Sequence, residues 1–170
     1  ISHAPGAVGP ADEKYNAVLR AESGNPFLVA RCEKLTMGNR YATSIHAVTS
    51  CVLKLAKITP ACKVYRGLKD AQLGEAFFKA DQYGVRGGIE FGFSSTTVDR
   101  AQAMQYASGK ASTIFEMEMG MIDRGADLSW LSQYPHEKEI LFSPLMGQQA
   151  LATRIHGSTL VVVTRLNINM

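Results

Sequence analysis

The sequence predicts an α+β domain, and three observations carry that prediction. Helical periodicity fills the first third of the chain, the hydrophobic period shifts toward two beyond Pro60, and helices and strands do not alternate as a βαβ series requires.

Residues 1–10 contain Pro5, Gly6, Gly9 and Pro10 and no apolar period, which predicts a flexible leader ahead of a single domain over 11–170. Three helices are expected next. The first, about 11–23, carries Asp12 and Glu13 in its first turn, where the helix dipole favours negative charge. The second, about 26–37, opens on Pro26 at a position that needs no amide donor, and Gly24 and Gly38 supply the stops. The third, about 41–57, has the clearest pattern: Ile45, Val48, Val52 and Leu55 recur at three- and four-residue steps and form one apolar stripe that must face a core.

Beyond Pro60, alternation at 63–68, 91–97, 113–119 and 137–142 predicts half-buried strands, and the β-branched run at 160–166 predicts a buried one. Short helices are expected between them at about 70–81 and 99–108, opening on Asp70 and Asp99, which can cap free amides.

Composition narrows the function. The 170 residues suit one domain, and 46% apolar against 19% charged residues supply a packed core and exclude global disorder. The longest uncharged stretches, 41–53 and 140–153, are broken by hydroxyls and amides and fall short of the roughly 18 apolar residues of a bilayer span. Eighteen basic against fifteen acidic residues leave +3, too little and too scattered for a nucleic-acid footprint. Cys32, Cys51 and Cys62 have neither CxxC nor histidine spacing, so no metal site or disulfide framework is expected. Sparse cysteines favour a reducing, intracellular compartment, and a secreted effector or toxin stays open. Starting at Ile1 without a signal-peptide pattern, the chain reads as a piece of something longer or a processed form.

Three polar elements stand on apolar strands. In Val64-Tyr65-Arg66-Gly67-Leu68, Arg66 shares its face with Val64 and Leu68. A guanidinium there needs an anion, either a structural carboxylate or a phosphate-bearing ligand, and Gly67 permits close approach of a backbone or ligand. In Phe91-Gly92-Phe93-Ser94-Ser95-Thr96-Thr97, four hydroxyls precede Asp99; they are either a strand end running into a cap or donors for a carboxylate or ligand. No Gly-x-Ser-x-Gly elbow or suitably spaced histidine makes Ser95 a nucleophile. In Tyr134-Pro135-His136-Glu137-Lys138-Glu139-Ile140-Leu141-Phe142, a strand would set Glu137 and Glu139 on one face, roughly 6 to 7 Å apart; they are either a solvated acidic edge with Lys138 between or a pair that meets cations or a substrate. Glu116 and Glu118 have the same spacing, but alternation with Phe115, Met117 and Met119 assigns both to the solvent side of an amphipathic strand.

Arginine, hydroxyl cluster and Glu-x-Glu, in that order after a helical preamble, resemble the arginine-serine-glutamate mono-ADP-ribosyltransferases over residues 64–141. The resemblance implies a split β-sandwich with NAD as co-substrate in a central cleft and no metal. It implies that Arg66 binds the NAD phosphates, that Ser95 of Ser95-Thr96-Thr97 hydrogen-bonds the catalytic Glu139, and that Glu139 grips the ribose 2′-hydroxyl. Gly67, Thr96 and Tyr134 complete the implied NAD-binding set, and Ser94 offers a second register for the serine. Glutamate rather than glutamine at Glu137 implies arginine of a protein acceptor. The histidine-tyrosine-glutamate pattern of poly-ADP-ribose polymerases has no counterpart, so one unit is transferred. An NAD glycohydrolase using water, and a catalytically silent NAD- or protein-binding module, are the competing readings.

Overall fold

The computed structural model describes residues 11–70, 73–107, 109 and 112–168. Three helices come first: α1 (Ala11–Ala21), α2 (Pro26–Thr36) and α3 (Ala42–Ala56). Asn25 caps α2 by accepting from the amides of Phe27 and Leu28, and Gly24 and Gly38 take the positive φ that ends a helix. The mixed half follows: β1 (Lys63–Leu68), one turn of α4 (Glu75–Phe78), β2 (Gly87–Glu90), β3 (Ser94–Thr97), α5 (Arg100–Tyr106), β4 (Ser112–Glu118), β5 (Ala126–Asp127), a 3-10 turn (Pro135–Glu137), β6 (Glu139–Phe142), β7 (Met146–His156) and β8 (Thr159–Ile168).

The architecture is α+β, with helices leading into eight strands in the order β2-β7-β8-β4-β1-β3-β6-β5. One joint in that order is weak. Six residue pairs join β1 to β4, whereas only Tyr65 and Thr97 pair across β1 and β3, so the sheet divides there into five-stranded and three-stranded parts. The main core packs between the parts, with Val64, Phe115, Met117 and Val162 from one and Ile140 and Phe142 from the other. The opposite side of the smaller part, through Leu141 and Ala126, meets Val52, Ile45, Val48 and Leu55 of α3 and Tyr15 and Leu19 of α1. The predicted stripe of α3 is thus the stripe that packs.

Several expectations need correction. The strand at 91–97 is shortened to β3, because the chain turns away at Gly92: a Cβ there would meet the Asn16 side-chain oxygen at 2.7 Å, and that oxygen accepts from the Phe93 amide in place of a strand partner. The residues before the turn form β2, which pairs with β7 at the far edge. The helix at 70–81 shrinks to α4, capped by Gly74, because Asp70 has a positive φ of 49° and Asp81 instead closes a turn by accepting from the Tyr83 and Val85 amides. The strand at 137–142 starts only at Glu139: Pro135 opens a 3-10 turn and Lys138 is left-handed at φ 46°, so Glu137 and Glu139 do not share a strand face. Glu116 is buried rather than solvated, drawn in by Arg154 at 2.6 Å and Arg100 at 3.3 Å, while Glu118 is exposed as expected. The long β7, paired with β8 through a two-residue turn at Gly157, and the short β5 were not anticipated. The expected leader at 1–10, with 71–72 and 108 of the two short helices, lies outside the described residues.

All three cysteines are free. Among the described residues no helix is long and apolar enough to cross a membrane, and no group of three histidine, cysteine or acidic side chains could hold a metal ion.

Candidate active site

The hydroxyl cluster of β3 is the hub of the site, because alternation sends its four side chains to different tasks. Ser94 points inward, is fully buried and accepts from Arg66 Nη1 at 2.6 Å. Thr96, also inward, donates to the Ile140 carbonyl at 2.8 Å. Thr97 donates to the Glu137 carbonyl at 2.7 Å and accepts from the Asp99 amide at 2.9 Å, so one hydroxyl fixes both the Glu137 turn and the entry to α5. Ser95 is exposed. The backbone is therefore pinned from β3 on both sides of Glu139, and the Leu128 amide donates to the Glu139 carbonyl at 2.9 Å.

Glu139 opens β6, opposite Thr97 in the ladder, while Ser95 is opposite Leu141. Paired and i±2 residues share a face, so Ser95, Thr97, Leu141 and Glu139 project to one side, with Ser95 diagonal to Glu139. No hydrogen bond joins Ser95 to Glu139 among the described residues. Glu137 sits apart on the 3-10 turn, where its Oε1 accepts from the Tyr106 hydroxyl at 2.6 Å. Tyr134 is exposed on the same loop, stacked edge-on against His136.

Arg66 lies in a second cluster. Its Nη1 donates to Glu90 Oε2 at 3.2 Å as well as to Ser94, and Glu90 also accepts from Arg20 Nε at 3.0 Å, Arg20 Nη2 at 3.1 Å and the Gly92 amide at 3.0 Å. The structure thus brings Arg66 to Ser94 and draws no bond from it to Ser95 or Glu139. Burial pushes the Arg66 guanidinium below its ordinary value, against the pull of Glu90, but an arginine stays charged. Burial raises the Glu90 carboxyl, yet the Arg20 hydrogen bonds, the Arg66 charge and the Gly92 amide together hold it below the usual carboxylate range. Two guanidiniums against one carboxylate leave a net positive cluster. Nη1 makes both contacts, and among the described residues Arg66 Nε and Nη2 make none, which leaves donors that suit an anionic diphosphate. Gly67 serves packing: an added Cβ would lie 2.1 Å from the Ala103 carbonyl oxygen, so only glycine lets α5 rest on β1.

Three residues of this geometry escaped the sequence. Arg20 reaches the site from a helix more than forty residues upstream of Arg66, and Glu90 stands beyond a break that no period marks. Tyr106 carries no motif at all. Only a buried arginine's need for a carboxylate pointed to a partner for Arg66.

The sequence profile described as NAD:arginine ADP-ribosyltransferase matches residues 30–163. No curated protein sequence is significantly similar to the chain. Among solved structures, the fold is similar to the ADP-ribosyltransferase HopU1 of Pseudomonas syringae pv. Tomato DC3000, at 21% identity and a TM-score of 0.71 over 98% of this chain and 69% of that one. It is also similar to the Vis ADP-ribosyltransferase of Vibrio splendidus in complex with agmatine, at 20% identity and 0.62 over 92% and 68%. A third is exoenzyme S of Pseudomonas aeruginosa bound to carba-NAD, at 20% identity and 0.56 over 90% and 66%. NAD is the co-substrate of such enzymes. With its profile covering well over half of the residues, the chain belongs to the NAD:arginine ADP-ribosyltransferase family.

Proposed function

We propose that the protein is a mono-ADP-ribosyltransferase that moves ADP-ribose from NAD to an arginine side chain of a protein and releases nicotinamide. The observation that carries this reading is the separation of two glutamates across Lys138. Glu139 is seated on the ladder face of Ser95, and Glu137 is turned outward on the 3-10 turn, both held by hydrogen bonds from β3 and the neighbouring loop.

The chemistry needs two carboxylates in different places. Breaking the bond between ribose C1′ and the nicotinamide nitrogen sends the electron pair to nicotinamide and develops positive charge on the ribose, which a fixed carboxylate stabilises. Glu139 has that role, with Ser95 diagonal to it on the same face. The attacking guanidine is cationic at neutral pH, so a nitrogen must lose a proton as it bonds to C1′, and Glu137 receives that proton. Arg66 takes the diphosphate through Nε and Nη2. Tyr134 flanks the acceptor side, Thr96 fixes the backbone at Ile140, and Gly67 fixes the height of α5 over β1.

Agmatine, the small guanidine in the Vis complex, is the natural probe. Incubation with NAD and agmatine, followed by mass spectrometry, should give equal amounts of nicotinamide and ADP-ribosyl-agmatine. Nicotinamide with free ADP-ribose alone would replace this reading by NAD hydrolysis, and no turnover at all would replace it by a binding module.

A further inference from the structure

Glu137 sits on an exposed turn, where a glutamate side chain ordinarily samples many rotamers. Here it does not swing free. The Tyr106 hydroxyl donates to Glu137 Oε1 at 2.6 Å, within the range of a charge-assisted O–H···O bond. Tyr106 is the last residue of α5, which is itself fixed at several points. Asp99 caps it through the Ala101 amide, Arg100 pairs with Glu116, and Ala103 and Ala107 are buried over the bare backbone of Gly67. Both ends of the Tyr106–Glu137 bond trace back to one atom, since Thr97 Oγ1 holds the Glu137 carbonyl and the Asp99 amide together. The carboxylate of Glu137 raises the Tyr106 phenol above the ordinary tyrosine value, with burial and the charges of Glu137 and Glu139 adding and Gln102 opposing, so the hydroxyl remains a donor at neutral pH.

We propose that Tyr106 is the positioning residue for acceptor attack, holding Glu137 Oε1 so that Oε2 alone faces the incoming guanidine and takes its proton. The proposal rests on the arginine-transfer reading and deepens it. In the transfer step, one guanidine nitrogen bonds to C1′, the bond from C1′ to nicotinamide breaks, and the nitrogen's proton moves to Oε2. Tyr106 keeps its own proton throughout. It touches neither NAD nor acceptor, and it acts on the partition of ADP-ribose between guanidine and water rather than on nicotinamide cleavage.

The test compares the full chain with its Tyr106→Phe, Glu137→Gln and doubly substituted forms, each given NAD and agmatine, with adduct and free ADP-ribose quantified in the same sample. The ratio of adduct to free ADP-ribose is unaffected by any loss of folded protein. Tyr106→Phe should lower this ratio about tenfold, a fraction of what a positioned base supplies, mainly through kcat for transfer rather than KM for agmatine. In the Glu137→Gln background the same substitution should change the ratio by less than about twofold, because two residues acting as a unit are not additive. A wild-type ratio in Tyr106→Phe overturns the proposal while leaving arginine transfer standing. An equal loss in both backgrounds also overturns it, since Tyr106 would then act elsewhere than through Glu137. Failure of the unsubstituted protein to form any adduct overturns the arginine-transfer reading and this proposal together.

Discussion

Replacing Glu90 with glutamine keeps the side chain's shape and removes the charge that balances Arg66 and Arg20. Glu90 accepts four hydrogen bonds, three of them from the two guanidiniums. Glutamine retains one carbonyl oxygen, so the Gly92 amide can keep an acceptor while both arginines lose their counter-charge. Removing one partner of a fully buried ion pair costs about 3–5 kcal/mol. The Glu90 and Arg66 side chains each keep 18% exposure and Arg20 keeps 35%, so solvent screening brings the expected loss to about 1.5–3 kcal/mol. For a chain of this length that corresponds to a fall in Tm of roughly 3–12 °C. The pH dependence identifies the cause. Because the folded Glu90 carboxyl is held below its unfolded value, its stabilisation is complete above about pH 4.3 and is lost as pH falls through the folded value. Urea unfolding of the protein and of Glu90→Gln should therefore show the full gap at pH 7 and a closing gap as the medium is acidified below about pH 4. A gap under about 0.5 kcal/mol at pH 7, within the range of an ordinary surface substitution, would refute the account of Glu90 as the counter-charge. So would a gap that stayed constant on acidification.

Other substitutions separate the site's tasks. Arg66→Ala should weaken NAD binding by about 1.5–3 kcal/mol, the worth of hydrogen bonds to a charged group, as read by titration calorimetry; unchanged affinity would leave Arg66 a structural partner of Glu90. Glu137→Gln should lower adduct formation with agmatine about 100-fold, the lower worth of a positioned base, while nicotinamide release continues, and equal loss of both would move Glu137 into the cleavage step. Phe142→Ala, at a fully buried position between the two parts of the sheet, should cost about 3–5 kcal/mol in urea unfolding, and a cost under about 1 kcal/mol would contradict the placement of the core there.

What the chain discloses before folding depends on how local the cause is. The stripe of α3 and the strand at β1 are visible because their period is set by one element burying one face. The order of arginine, hydroxyls and glutamates is also visible, because each lies on its own short segment. The break at Gly92 is not, since Asn16 of a distant helix causes it. Glu116 looks like a solvent-facing residue in alternation, and only Arg100 and Arg154, brought in by α5 and β7, turn that face inward. The Glu-x-Glu pair reads as two neighbours on a strand until Pro135 and the left-handed Lys138 rotate Glu137 away. Ser94 and Ser95 are indistinguishable in sequence, yet pleating sends one to Arg66 and the other to the face of Glu139. Tyr106 is silent because its partner lies thirty-one residues ahead on a turn that no local rule predicts.

Glu139 is proposed as the carboxylate at the reacting ribose, and NAD turnover by Glu139→Gln beside the unsubstituted protein tests that role. Nicotinamide release should be followed with and without agmatine, on samples matched for Tm. Both nicotinamide and adduct should fall by about 100- to 1,000-fold, the usual worth of a single electrostatic stabiliser of the transition state, while the fold is retained. Nicotinamide release within a few-fold of the unsubstituted protein would contradict that role and require another group at the ribose.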